Sequence, residues 1–128
     1  MSVKSFAKTV LVVDDDPNII SAFEDFFRKE GCCLIASSST EKAMELLKEH
    51  SVDLIITDIQ LKEESGVKFL LELKKVWSIL PIIVMTGYSE AINESDMKKY
   101  GTDYFFQKPL HLEKFRDAVR KCLYRNVR

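Results

Sequence analysis

Five short apolar runs, each followed by a segment of helical periodicity, restrict this chain to a narrow set of folds. The runs are Val10 to Val13, Cys32 to Ala36, Leu54 to Ile56, Ile82 to Met85 and Tyr104 to Phe106. They are nearly continuous in hydrophobicity rather than alternating, which predicts strands covered by helices on both faces. Asp16-Pro17 places a cap residue before a first-turn proline, and Gly31 closes that segment about four turns later. Ile19, Ile20, Phe23, Phe26 and Phe27 recur between them at helical spacing. Ser38 with Glu41 predicts a capping box ahead of Ala43, Met44 and Leu47. Ser65-Gly66 precedes a helix carrying Phe69, Leu70, Leu73 and Trp77, and a last helix runs from about Leu112 through Phe115 and Val119 to Leu123. The segment from Ser89 to Tyr100 has only Ala91, Ile92, Met97 and Tyr100 as apolar members, so its helix is expected to be the least firmly held. Five βα units in a row imply the α/β class: a parallel sheet with right-handed crossovers and five helices.

At 128 residues the chain is long enough for one domain with a real core, and residues 1–128 read as a single unit. Its net charge of −1 points to neither nucleic acid nor an anionic membrane. No apolar stretch approaches the roughly 18 residues of a membrane span. Cys32, Cys33 and Cys122 lack metal-ligand spacing and read as reduced thiols. The N-terminus lacks the apolar core of a signal peptide. Together these features predict a cytoplasmic protein.

The polar residues that follow the strands carry the functional signal. The first run meets Asp14, Asp15 and Asp16; the third meets Thr57-Asp58; the fourth, Thr86-Gly87; the fifth, Gln107-Lys108-Pro109. In a parallel sheet all carboxyl ends share one edge, and open α/β sheets bind ligands in the crevice there. Acids, a hydroxyl and an amine therefore converge. The second run ends in Ser37-Ser38-Ser39, which reads as turn and cap chemistry outside the site. Crowded carboxylates raise one another's pKa unless a cation neutralises them, and a hard divalent ion such as Mg²⁺ does so with one or two carboxylates and water. Asp58 can then act as a nucleophile toward phosphorus, with Lys108 and Thr86 holding phosphoryl oxygens. The pattern predicts phosphoryl transfer onto the protein itself.

In VLVVDDDP, LIITDIQL, IIVMTG and FFQKPL, in that order and spacing, the chain resembles bacterial response-regulator receiver domains of two-component signalling. The resemblance implies a flavodoxin-like, doubly wound sheet with strand order 2-1-3-4-5. It implies that Asp58 accepts a phosphoryl group from a sensor histidine kinase or phosphotransfer protein, with Mg²⁺ or Mn²⁺ present. Asp15 would ligate the metal directly, Asp14 mainly through water, and Asp58 and the Gln60 backbone carbonyl would complete the protein's share. Lys108 would contact the phosphoryl group, and Thr86 would move toward it, letting Phe105 turn inward. Phenylalanine has no hydroxyl, so this switch would work by packing. Gln60 and Tyr88 would tune the phosphoryl lifetime, bulky Tyr88 slowing its loss. An output protein or domain would read the fourth helix, fifth strand and fifth helix, a face through which this family also leaves self-association open. The chain departs from the family pattern at Leu61-Lys62, where Met-Pro is common, and at Gly87, where alanine is usual; Gly66 is retained.

Simpler readings compete at single positions. Asp16 fits helix-start chemistry and is assigned as a cap. His50 sits at a helix end and His111 at a cap position, so neither is read as a phosphodonor or ligand. The basic residues Lys114, Arg116, Arg120, Lys121, Arg125 and Arg128 read first as a solvated face and second as an electrostatic docking surface. The rival functions are a small aspartate-nucleophile phosphatase or phosphotransferase, and a redox or nucleotide module. The first usually encloses its substrate with an insertion that has no spare segment here. The second would want a phosphate cradle where this chain places acids. A binding switch, not a turnover enzyme, is expected.

Overall fold

The computed structural model describes residues 7–59, 66–87 and 94–124. Along the chain run β1 (Thr9–Val13), α1 (Pro17–Lys29), β2 (Cys33–Ser37), α2 (Thr40–Glu49) and β3 (Leu54–Asp58). These are followed by α3 (Gly66–Val76), β4 (Ile82–Thr86), α4 (Glu94–Lys99), β5 (Tyr104–Gln107) and α5 (Leu112–Tyr124). The strands form one parallel sheet in the order β2-β1-β3-β4-β5.

Alternate residues of each central strand enter two separate cores, which is why the runs look continuous. Val10, Val12, Leu54, Ile56, Ile83 and Met85 pack against Phe23, Phe26 and Phe27 of α1 and Phe115 and Val119 of α5. Leu11, Val13, Ile55, Ile82 and Val84 face Ala43 and Leu47 of α2, Phe69, Leu70 and Leu73 of α3, and Met97 of α4. Two acids at strand entries hold the opposite edge. Asp53 accepts the Thr9 N–H at 2.9 Å and Asp103 accepts the Ile82 N–H at 2.9 Å. Each also donates its own N–H across the same pair, to Thr9 and Ile82 carbonyls at 2.8 Å.

Four strands run further at their carboxyl ends than the apolar runs suggest. Asp58 pairs with Met85 and Thr86 with Gln107, so the ladder continues through polar residues to the site edge. Asp58 and Thr86 thus sit on strand ends, whereas Asp14 and Lys108 follow directly after β1 and β5. The cap of α2 also differs from expectation. Ser39, not Ser38, accepts the Lys42 N–H, at 3.1 Å, because Ser37 is the last residue of β2 and its hydroxyl engages the Ser39 backbone. With Lys42 at the third helical position there is no reciprocal glutamate, so no capping box forms. Asp16 caps α1 as expected, accepting the Asn18 N–H at 2.9 Å. His50 ends α2, and the His111 ring accepts the Lys114 N–H at 3.4 Å. Among the described residues helix α4 spans Glu94–Lys99, with Met97 buried at 1% exposure.

Three basic residues of α5 are paired within the protein, while Arg125 and Arg128 lie outside the described residues. Arg120 forks onto Glu30 at 3.0 and 3.2 Å, Arg116 reaches the same carboxylate at 3.4 Å, and Lys121 pairs with Asp117 at 3.1 Å. Arg116 also lies over the Phe26 ring, 5.5 Å from its centre. Hydrogen bonding by Arg120, then the Arg120 and Arg116 charges, hold the Glu30 carboxyl below its ordinary 4.5 against the opposing effect of burial. Since the folded value lies under the unfolded one, the stabilisation is complete above about pH 4.5 and fades as pH falls through the lowered value. Glu30→Gln is therefore expected to melt below wild type at neutral pH, with the two curves converging in acid. Thermal melts across a pH series check this; a constant gap would contradict it.

Candidate functional site

At the carboxyl edge of β1, β3 and β5 the chain assembles a three-residue ionic centre. Asp14 follows β1 and is 1% exposed; Asp58 ends β3 and is 5% exposed. The Lys108 ammonium lies between them, 2.9 Å from an oxygen of each. Residue separations of 94 and 50 show how the parallel topology gathers distant strand ends. The lysine is placed by the backbone: its N–H bonds the Thr86 carbonyl at 2.7 Å, extending the β4–β5 pairing past Gln107. The Lys108-Pro109 peptide is cis.

Asp14 is anchored at its N–H and at both carboxylate oxygens. Its N–H bonds the Ser37 carbonyl at 3.0 Å, one carboxylate oxygen accepts the Asp16 N–H at 2.9 Å, and the other meets Lys108. Burial nevertheless raises its pKa, outweighing Lys108 and the Asp16 N–H. Burial pulls the Lys108 pKa down, but hydrogen bonds to Asp58 and Asp14 and the attraction of both carboxylates overcome it and raise it. Two carboxylates facing one ammonium leave an excess of negative charge when both are ionised.

Asp15 stands exposed on the rim, on the α1 side. Thr86, the last residue of β4, is 1% exposed. Val84 pairs with Phe105 in register, so Thr86, two residues on, shares that face diagonally with the Phe105 ring. Phe105 packs on the α2/α3 core, whereas its neighbours Tyr104 and Phe106 pack on the α1/α5 core. Gln60, Leu61, Lys62 and Tyr88 lie outside the described residues. Sequence reasoning left Ser37 outside the site, because a run of three serines reads as turn and cap; its carbonyl is in fact the partner of the Asp14 N–H.

The family profile described as the response regulator receiver domain matches residues 10–120. The chain belongs to the response-regulator receiver family. Receivers are regulatory domains of two-component systems, and this one has their five parallel strands in the order 2-1-3-4-5. It is 28% identical to sporulation initiation phosphotransferase F of Bacillus subtilis over 114 residues, covering 89% of this chain and 92% of the relative. It is 29% identical over 118 residues to the polar-differentiation response regulator DivK of Brucella ovis, covering 91% and 96%. Among solved structures, the response regulator TrrA of Thermotoga maritima, in complex with Mg(2+)-BeF, superposes with a TM-score of 0.81 at 29% identity, covering 91% of this chain and 99% of that one. Among the described residues of the receiver, no helix is long and apolar enough to cross a membrane.

The groups available around Asp14 and Asp58 are hard carboxylate oxygens with excess negative charge, which suits Mg²⁺ or Mn²⁺ and not a soft metal. Among the described residues, no three acid, imidazole or thiol side chains come together as a metal-holding group. The arrangement therefore fits an ion held by one or two carboxylates and otherwise by water or phosphoryl oxygens, rather than a protein cage.

Proposed function

We propose that this receiver, a single unit over residues 1–128, takes a phosphoryl group on Asp58 in the cytoplasm from the phosphohistidine of a sensor kinase or phosphotransfer protein. The observation that carries the reading is the Lys108 ammonium joined to two buried carboxylates, Asp14 and Asp58, at the ligand-binding edge of the sheet. Asp58 forms an O–P bond as the P–N bond to the donor imidazole breaks, and the imidazole keeps the electron pair. Lys108 is close enough to follow the incoming phosphoryl oxygens, and the Thr86 hydroxyl sits at the end of the neighbouring strand to do the same. A divalent ion, when bound, offsets the charge on those oxygens. Asp14, Asp15, Asp58 and the Gln60 carbonyl would hold that ion.

The response is a switch in packing. Thr86 and Phe105 share one sheet face, and described α4 buries Met97 as its anchor. Phosphorylation would bias this region between two arrangements and so expose or hide the surface of α4, β5 and α5 to an output protein. Gln60 and Tyr88 would set how long the phosphoryl group lasts. The chemistry is confined to the protein's own aspartate, so a soluble phosphomonoester is expected to persist in its presence.

Intact-protein mass spectrometry after incubation with acetyl phosphate and Mg²⁺ tests the reading. One added phosphoryl group is expected, and no uptake by wild type would overturn it. Two neighbouring substitutions separate the roles within the aspartate run. Asp15→Ala is expected to weaken Mg²⁺ binding by at least about tenfold while leaving the fold intact. Asp16→Ala removes the α1 cap and is expected to cost about 1 kcal/mol of stability with Mg²⁺ affinity little changed. Calorimetric titration and chemical denaturation of both variants read the two effects separately.

A further inference from the structure

Strand β2 is the edge of the sheet, yet its last residue reaches the ionic centre through the backbone. Ser37 is 6% exposed, and its carbonyl accepts the Asp14 N–H at 3.0 Å. Its hydroxyl donates to the Ser39 carbonyl at 2.7 Å and accepts from the Ser39 N–H at 3.2 Å. Both bonds span the peptide between Ser37 and Ser38, to which the acceptor carbonyl belongs. Rotating that peptide would break them, and at this burial water replaces a lost partner poorly. Ser39 is itself fixed as the cap of α2. Asp14 therefore takes one of its anchors from a peptide whose orientation a neighbouring hydroxyl sets. The other two, the Asp16 N–H and Lys108, act on the carboxylate alone.

We propose that Ser37 is a positioning residue for Asp14: its hydroxyl fixes the carbonyl that anchors Asp14 and so sets the aim of the carboxylate. The role in metal binding rests on the function proposed above; the role in holding Asp14 does not. Groups that orient a metal ligand from outside commonly carry effects of tenfold or more on affinity. Ser37→Ala is expected to weaken Mg²⁺ binding about tenfold. Ser37→Thr keeps the hydroxyl that engages the Ser39 backbone. That variant is expected to bind like wild type.

The test combines Mg²⁺ titration with amide hydrogen exchange by NMR on the metal-free full chain. Without metal, exchange at the Asp14 and Asp16 amides is expected to quicken about tenfold in Ser37→Ala and to return to the wild-type rate in Ser37→Thr. In an Asp14→Asn background, Ser37→Ala should change Mg²⁺ affinity by less than about twofold while lowering the melting temperature as before. Unchanged exchange at Asp14, failure of the threonine to restore it, or an equal loss of affinity in both backgrounds overturns the proposal. If wild type binds no Mg²⁺ at all, the functional reading falls, and the metal-free exchange decides on Ser37 by itself.

Discussion

Asp58→Asn is expected to abolish phosphoryl uptake from acetyl phosphate while the protein stays folded. The amide keeps the shape of the carboxylate but removes its nucleophilic charge. Asp58 is 5% exposed at a strand end with Lys108 at 2.9 Å. The variant should melt no lower than wild type. Two carboxylates sharing one ammonium repel each other, and neutralising one relieves that repulsion. Lys108 keeps Asp14 as its partner, also at 2.9 Å. Mass spectrometry and a thermal melt on the same sample make the comparison. Uptake retained on another residue would move the phosphoacceptor away from Asp58.

The second large effect concerns Gly66, at the start of α3. A Cβ there would meet the Cα of Ile59 and stand 2.5 Å from its carbonyl oxygen. Both atoms are backbone, so no rotamer change relieves the contact. Ile59 is itself buried at 5% exposure in the α2/α3 core and follows Asp58 directly. Gly66→Ala is expected to cost about 2–3 kcal/mol, in the range of overpacked cores. That corresponds to a melting temperature lower by about 10 °C. Because the clash presses on the residue beside the phosphoacceptor, phosphorylation should slow as well. A variant as stable as wild type would show that α3 and β3 separate easily. Denaturant unfolding settles this.

Much of the architecture is legible because one physical fact, burial on both sheet faces, leaves a one-dimensional trace. Continuous runs such as Ile82 to Met85 between amphipathic segments give the strands and their parallel arrangement directly. The Ser39 cap is a different matter. Ser38 and Ser39 have the same local chemistry, and what selects between them is where β2 ends and the contact of Ser37 with the Ser39 backbone. The neutralisation of α5 is likewise invisible locally, since Arg120 and Glu30 are 90 positions apart. At the site, residue types and strand-end positions point to Asp14, Asp58 and Lys108 as a group. The double attachment of the lysine depends on side-chain directions that spacing does not encode. The contribution of Ser37 travels through a carbonyl, a group every residue has, so its identity alone gives no signal.

The two sides of the sheet are fastened differently. On one, Phe23 stacks on Phe115 with ring centres 5.3 Å apart, Phe106 meets Phe115 edge-on at 5.7 Å, and Glu30 fastens α1 to α5. On the other, the described part of α4 is the six residues Glu94–Lys99. On the proposed function, a disturbance at the Asp58 edge would be passed to the α4 side more than to the braced one, as a load bends the weaker of two joined beams. Unequal bracing of this kind would give the response a direction before any phosphoryl group arrives.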